Sequence, residues 1–181
     1  MECEEIRKWF EAYSNDKRHK EWIELEKFVG ERIRKKGRCS RVDLIMIGVW
    51  KFIGLKSLLN VNRIASKDPQ EIERITAEAF TSLMDDEGRV EKLSEIKGVG
   101  TALASAILTF YDPQNYGVID ENVWREVFGE EGRRSFSPRD YIRLLDKLRE
   151  DARRCGMRVR DVERAYFQKG RARRSRGFPK D

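Results

Sequence analysis

The stretch from Leu93 to Phe128, LSEIKGVGTALASAILTFYDPQNYGVIDENVWREVF, decides the reading of the chain. A polar-apolar helical turn breaks at Gly98-Val99-Gly100 and resumes as a small-residue helix from Thr101 to about Tyr111. Two glycines around one apolar residue predict a tight hairpin, because only glycine takes positive φ without strain and leaves the backbone open to close approach. The next helix begins at once, so its unpaired N–H groups face outward as a place for a phosphate oxygen. A loop from Asp112 to Gly117, the apolar pair Val118-Ile119 and a single carboxylate, Asp120, lead into a third helix, Glu121 to Phe128, which carries Arg125. Asp120 also fits as the N-cap of that helix, and capping does not exclude a chemical role.

Outward from this stretch the pattern is helical. Residues 4 to 13 put Ile6, Trp9, Phe10 and Tyr13 on one face, and Lys17 to Lys35 turns Trp22, Ile23, Leu25, Phe28, Val29 and Ile33 inward. His19, the only histidine, falls among lysines and arginines and reads as a surface residue. Ser40-Arg41-Val42-Asp43 has the form of a capping box and opens the most apolar helix, Val42 to about Leu55. Lys51 within it either snorkels to the surface, the preferred reading, or faces a polar cleft. After a short element from Leu58 to Ala65, Asp68-Pro69 starts a helix to about Met84 that buries Ile72, Ile75, Ala79, Phe80 and Leu83. Ser137-Pro138 starts another, to about Cys155, with Tyr141, Ile142, Leu144, Leu145 and Leu148 as its stripe; Val159 to about Phe167 is the last. No strand pattern, internal repeat or low-complexity linker competes with an all-α fold.

A chain of 181 residues suits one domain, or one compact core with a small helical partner formed from its two ends. Five of the six net positive charges fall in residues 169 to 181. Such a basic tail is either a solvated end or a source of salt-sensitive attraction to nucleic acid. Cys3, Cys39 and Cys155 lie far apart, and their odd number argues against a disulfide framework, so a reducing compartment is inferred. The opening residues Met1 to Glu5 have neither the basic region nor the apolar core of a signal peptide. The apolar run from Leu44 to Leu55 is interrupted by Lys51 and is too short for a bilayer. A cytoplasmic, nucleoid-associated location with no membrane partner is expected.

The layout of the central stretch resembles the helix-hairpin-helix DNA glycosylases, whose pattern is a hairpin, a Gly/Pro-containing loop and an aspartate. In endonuclease III-like members the hairpin reads L-P-G-V-G and the aspartate lies twenty residues past its second glycine. Gly100 to Asp120 is that interval, and Arg125 stands where the family has an arginine. The run Ile119-Asp120-Glu121-Asn122-Val123 is most similar to the MutY-type adenine glycosylases. The resemblance implies a helical barrel over residues 40–128, with the helix-hairpin-helix at 93–111 and the catalytic-aspartate segment at 112–128. Residues 1–39 and 129–168 would form a second, terminal lobe, with the basic tail at 169–181, and DNA would enter the groove between the lobes.

The same resemblance implies roles for single residues. Asp120 would stabilise the sugar cation that forms as a base leaves and would activate water. Lys97, Gly98, Val99, Gly100 and Thr101 would meet the DNA backbone, and the carbonyls of Ile96 and Val99 would hold Na+ or K+; Lys97 fits a solvated side chain equally well. The closely spaced cysteines of the iron–sulphur loop found in many relatives are missing, so no cluster is expected. Strand-cleaving relatives carry a lysine two residues past the second hairpin glycine, and here that residue is Ala102. The expected enzyme is therefore a single-function, water-using glycosylase acting on double-stranded DNA with a damaged or mismatched base. A lyase with Lys51 as nucleophile and a non-catalytic DNA-binding module are the alternatives. Arg125 is expected to pair within its helix or with Asp112 or Glu121, and Tyr111, Tyr116, Trp50 and Trp124 belong either to the core or to a stacking surface.

Overall fold

A computed structural model of the chain describes residues 1–52, 55–81, 83–129 and 135–175, and every regular element among them is a helix. In order these are α1 (Cys3–Asn15), a 3-10 turn (Lys17–His19), α2 (Lys20–Lys36), α3 (Arg41–Lys51), α4 (Leu55–Ala65) and α5 (Pro69–Ala79). They continue with α6 (Asp86–Ser94), α7 (Thr101–Tyr111), α8 (Glu121–Phe128), α9 (Pro138–Cys155) and α10 (Val159–Ser175). The all-α expectation holds for these residues.

Most helix starts are written in the sequence. Ser40 with Asp43 and Ser137 with Asp140 form reciprocal capping boxes, and Asp68 accepts from the Gln70 N–H ahead of Pro69. Helix ends are less legible. α3 stops at Lys51, four residues short of expectation, because Phe52 turns extended at φ −117°. α5 ends at Ala79, so Leu83 lies beyond it and is 92% exposed rather than buried. Phe28 is also outward, 53% exposed beneath the Arg32 guanidinium at 5.3 Å. Residues 169 to 175 are the last turns of α10, so helix replaces the first half of the expected tail; residues 176–181 lie outside the described residues.

α7 is buried along nearly its whole length, with Leu103, Ala104, Ser105, Ala106, Ile107 and Leu108 all at 0% exposure, and α2, α3, α6 and α9 pack around it. Its apolar small-residue composition suits a helix buried on every side. α10 packs against α1 and α8, bringing the two ends of the chain together. No helix among the described residues is long and apolar enough to cross a membrane.

Cys3 and Cys155 form a disulfide that joins the start of α1 to the end of α9, while Cys39 is free and buried. This corrects the cysteine reading and removes the ground for inferring a reducing compartment. The partners are 152 residues apart and no local spacing reveals them. Closing so long a loop removes denatured-state entropy, and replacing Cys3 by Ser is expected to cost about 2–4 kcal/mol. Urea unfolding of the oxidised protein, the reduced protein and Cys3→Ser checks this: the last two should coincide, and three identical curves would rule out a bonded pair in solution.

Candidate functional site

The site is built on the end of the connection between α7 and α8. The Ile119 N–H donates to Ser105 Oγ on α7 at 3.1 Å, and the Ile119 carbonyl accepts from Lys51 Nζ on α3 at 2.8 Å. Ile119, the residue just before Asp120, is thus held from two helices. Asp120 then caps α8: its Oδ1 accepts from the Asn122 N–H at 2.8 Å and from Asn122 Nδ2 at 2.9 Å. Its other oxygen, Oδ2, lies 3.8 Å from Lys51 Nζ, an ion-pair separation too long for a direct hydrogen bond. One oxygen serves the helix and the other faces the amine.

Lys51 corrects the preferred reading. Its side chain is only 8% exposed and does not snorkel; it turns toward the Ile119 carbonyl and the Asp120 carboxylate. Burial pushes its amine below the ordinary lysine range, with Asp120 opposing the shift and Arg160 adding to it.

Both residues line a cleft of about 580 Å³. Its other walls come from parts of the chain that no motif joins: Tyr13, Arg18, His19 and Trp22 near the N-terminus, Trp50 on α3, and a row along α10. That row is Arg160, Glu163, Phe167, Arg171 and Arg174, whose spacing of three, four, four and three residues makes one helix face. Polarity changes along it. At one end Arg160 donates to both carboxylate oxygens of Glu26, at 3.0 and 2.7 Å, and to Glu163, while Arg164 reaches Glu26 at 3.1 Å. Burial alone would raise the Glu26 carboxyl, but the two guanidiniums outweigh it and hold it below the usual range. Phe167 occupies the middle, and the arginines lie toward the end.

His19 corrects a second expectation. It is 4% exposed and stacked on Tyr13, with ring centroids 4.0 Å apart. Its Nδ1 lies 3.1 Å from the Tyr13 carbonyl and its Nε2 lies 2.9 Å from Arg171 Nη1. A carbonyl only accepts and a guanidinium only donates, so the proton sits on Nδ1 and Nε2 is the acceptor. The ring is neutral in this arrangement, and burial pushes it below the ordinary histidine value.

The hairpin residues stand apart, for none of Lys97, Gly98, Val99, Gly100 and Thr101 lines the cleft. Gly98 has φ +103°, as a tight turn needs, with its α-carbon facing Arg63 on α4. Gly100 instead is extended at φ −100°, so only one of the two glycines is there for backbone freedom. A Cβ at Gly100 would meet nothing within 4 Å, leaving that face open. Lys97 is exposed, Val99 and Thr101 are largely buried, and the Ile96 carbonyl accepts from the Val99 N–H at 2.8 Å. No group of His, Cys, Asp or Glu among the described residues could hold a metal ion.

Of the four aromatics that the sequence offers for stacking, Trp50 lines the cleft, whereas Trp124 is fully buried, Tyr111 stacks on Phe80, and Tyr116 donates to Asp86 at 2.7 Å. Arg125 pairs within its helix, donating to Asn122 at 3.4 Å, and it also donates to the Gly170 carbonyl on α10 at 2.9 Å. It therefore ties α8 to α10. The α10 face was legible as a periodicity, but only to a reading that carried the helix beyond Phe167.

Comparison of the chain with protein-family models, curated proteins and solved structures gives no match.

At Gly170 the two helices touch closely: a Cβ there would lie 2.9 Å from both the Asn122 carbonyl oxygen and its Cβ. Alanine would gain up to about 1 kcal/mol of helix propensity, but overpacking against backbone costs about 1–3 kcal/mol. Gly170→Ala is expected to lower stability and displace Asp120. Thermal unfolding checks the sign, and a stabilised variant would show that α8 and α10 are not in this contact.

Proposed function

We propose that the chain is a base-excision DNA glycosylase of the helix-hairpin-helix superfamily, with Asp120 as its essential carboxylate. The observation that carries the reading is the meeting of Asp120 Oδ2 and Lys51 Nζ, 3.8 Å apart, on the wall of an aromatic-lined cleft. A glycosylase needs a recess for an everted base and a fixed negative charge where the sugar becomes positive. Trp22, Trp50 and Phe167 supply ring surface for the base. In hydrolysis, water oxygen bonds to the sugar C1′ and the base departs with the bonding electron pair and takes up a proton. The proton lost by water passes to Asp120.

A second reading is favoured by the position of Lys51. A buried amine below its ordinary pKa is a nucleophile in waiting, and it stands beside the proposed carboxylate although it comes from α3 rather than from the hairpin. Lys51 Nζ would bond to C1′ as the base leaves with its electron pair and a proton. Breaking the C1′–O4′ bond then gives a Schiff base, and loss of a C2′ proton expels the 3′ phosphate. Glycosylase and lyase are consecutive uses of one site.

The test incubates the purified protein with duplexes that each bear one damaged or mismatched base. Free base is measured by mass spectrometry and covalent adducts are trapped with borohydride. Asp120→Asn keeps a good N-cap and removes the charge, so base release is expected to fall by about 10²–10³-fold with duplex binding within a few-fold. Release at the normal rate in this variant would reduce Asp120 to a cap, and tight binding with no release from any duplex would favour the non-catalytic module. If Lys51 forms the Schiff base, trapping should vanish in Lys51→Met. In the wild type it should rise with pH and level off below the ordinary lysine value of 10.5, because the neutral amine is the reactive form.

A further inference from the structure

Glu163 is a second acid on the cleft wall, and hydrolysis at Asp120 makes no use of it. Its side chain is 3% exposed. One oxygen, Oε2, accepts from Arg160 Nη1. The other, Oε1, has no hydrogen-bond partner among the described residues and is not enclosed by protein atoms. Arg160 is itself fixed, because Glu26 takes its Nε at 3.0 Å and its Nη2 at 2.7 Å and leaves Nη1 for Glu163. The stem of Glu163 packs on Gly117, where an added Cβ would lie 3.0 Å from Glu163 Cβ and 3.3 Å from its Cγ. The carboxylate is therefore held at its stem and at one oxygen, with the second oxygen left over.

Charge balance explains part of this. Glu26 serves both Arg160 and Arg164, and a second acid offsets the second cation. Balance requires only the oxygen that meets Arg160. A second oxygen without a donor, on a carboxylate this deeply buried, is unfavourable until a donor enters the cleft.

We infer that Glu163 Oε1 reads the edge of the everted base and selects bases that carry an exocyclic amine over those with a carbonyl in its place. The inference rests on the glycosylase reading for the base as ligand. Glu163 and Phe167 stand four residues apart on one face of α10, about 6 Å along the axis, so a base stacked on the Phe167 ring presents an edge toward the carboxylate. A carboxylate oxygen paired with a guanidinium only accepts. An amine gives it a donor, whereas a carbonyl sets two acceptors against each other, and the ring N–H of an oxo base lies beside such a carbonyl. A site built to bond an N–H rejects the analogue that lacks it more strongly than an apolar pocket rejects a change of size. Glu163 thus determines specificity and acts on the base, while Asp120 acts at the sugar.

Glu163→Gln reverses the sense of the contact. Arg160 Nη1 only donates, so the amide carbonyl takes the place of Oε2 and the NH2 group that of Oε1. The open position then donates and favours a carbonyl over an amine. A residue that only balanced Arg160 would, when replaced, weaken every base alike.

Isothermal titration calorimetry with deoxyadenosine against deoxyinosine, and deoxycytidine against deoxyuridine, measures the preference, since each pair exchanges an amine for a carbonyl. The wild type is expected to bind the amino member of at least one pair about tenfold or more tightly. For that pair the preference should reverse in Glu163→Gln. It should shrink in Glu163→Asp, which keeps a charge for Arg160 on a shorter side chain. Circular dichroism verifies folding of both variants. Equal binding within both pairs by the wild type overturns the inference whatever the variants do, as does the absence of binding to all four nucleosides. A Glu163→Gln variant that retains the wild-type preference overturns it too.

Duplexes that each bear one damaged or mismatched base are assayed in parallel for released base. A nucleoside preference that reverses in Glu163→Gln, with no release from any duplex, leaves Glu163 as the reader of a free nucleoside, and the glycosylase reading is the part that fails. Release by Glu163→Gln in the wild-type order of substrates, with the nucleoside preference unreversed, removes Glu163 from base selection and leaves the glycosylase reading intact.

Discussion

Ile119 is held on both of its backbone groups, its N–H by the Ser105 hydroxyl of α7 and its carbonyl by the Lys51 amine of α3. The connection between α7 and α8 has no helical ladder of its own, and buried backbone groups without partners cost about 1–3 kcal/mol each. Ser105 and Lys51 meet that need, and in doing so they fix where α8 begins. Asp120 is therefore placed by its neighbours on both sides: the preceding residue is held by α3 and α7, and its own Oδ1 is committed to the first turn of α8.

Lys51 is the least economical residue in this arrangement. Burying an amine is unfavourable unless hydrogen bonds and an opposite charge compensate. The carbonyl at 2.8 Å and the carboxylate at 3.8 Å compensate in part, and burial still lowers the pKa. A methionine of similar length would fill the space without that penalty. The same holds for Arg160 and Glu163, which line the cleft, and for the buried Glu26 that Arg160 pairs with: ionic groups stand there in place of apolar packing. Charge concentrated at one recess, at a cost in stability, is how a site differs from a core.

Corrections to the sequence reading share one cause. The charged neighbours of His19 in the chain point to the surface, yet its ring is covered by Tyr13 from α1 and Phe167 from α10. Lys51 has an apolar helix around it in sequence, and its partners come from a segment 68 residues away. The Cys3–Cys155 bond and the tie from Arg125 to Gly170 are equally non-local. Composition describes neighbours along the chain, whereas burial and pairing depend on neighbours in space. Gly98 and Gly100 look alike in sequence, and only Gly98 has positive φ, because just one residue of the turn needs it.

What the sequence determined by itself is local chemistry: the all-helical class, the caps at Ser40, Asp68, Ser137 and Asp120, the break at Gly98, and the apolar faces of α7 and α9. These follow from side-chain hydrogen bonds to nearby backbone and from a 3.6-residue period, and both act within a few residues. Tertiary structure alone decided that Lys51 meets Asp120, that His19 lies against Arg171, and that residues 160 to 174 form one wall of the cleft. Each depends on the approach of helices far apart in the chain. That approach is set by the fit of whole apolar faces, with close contacts such as Gly170 against Asn122, rather than by any motif.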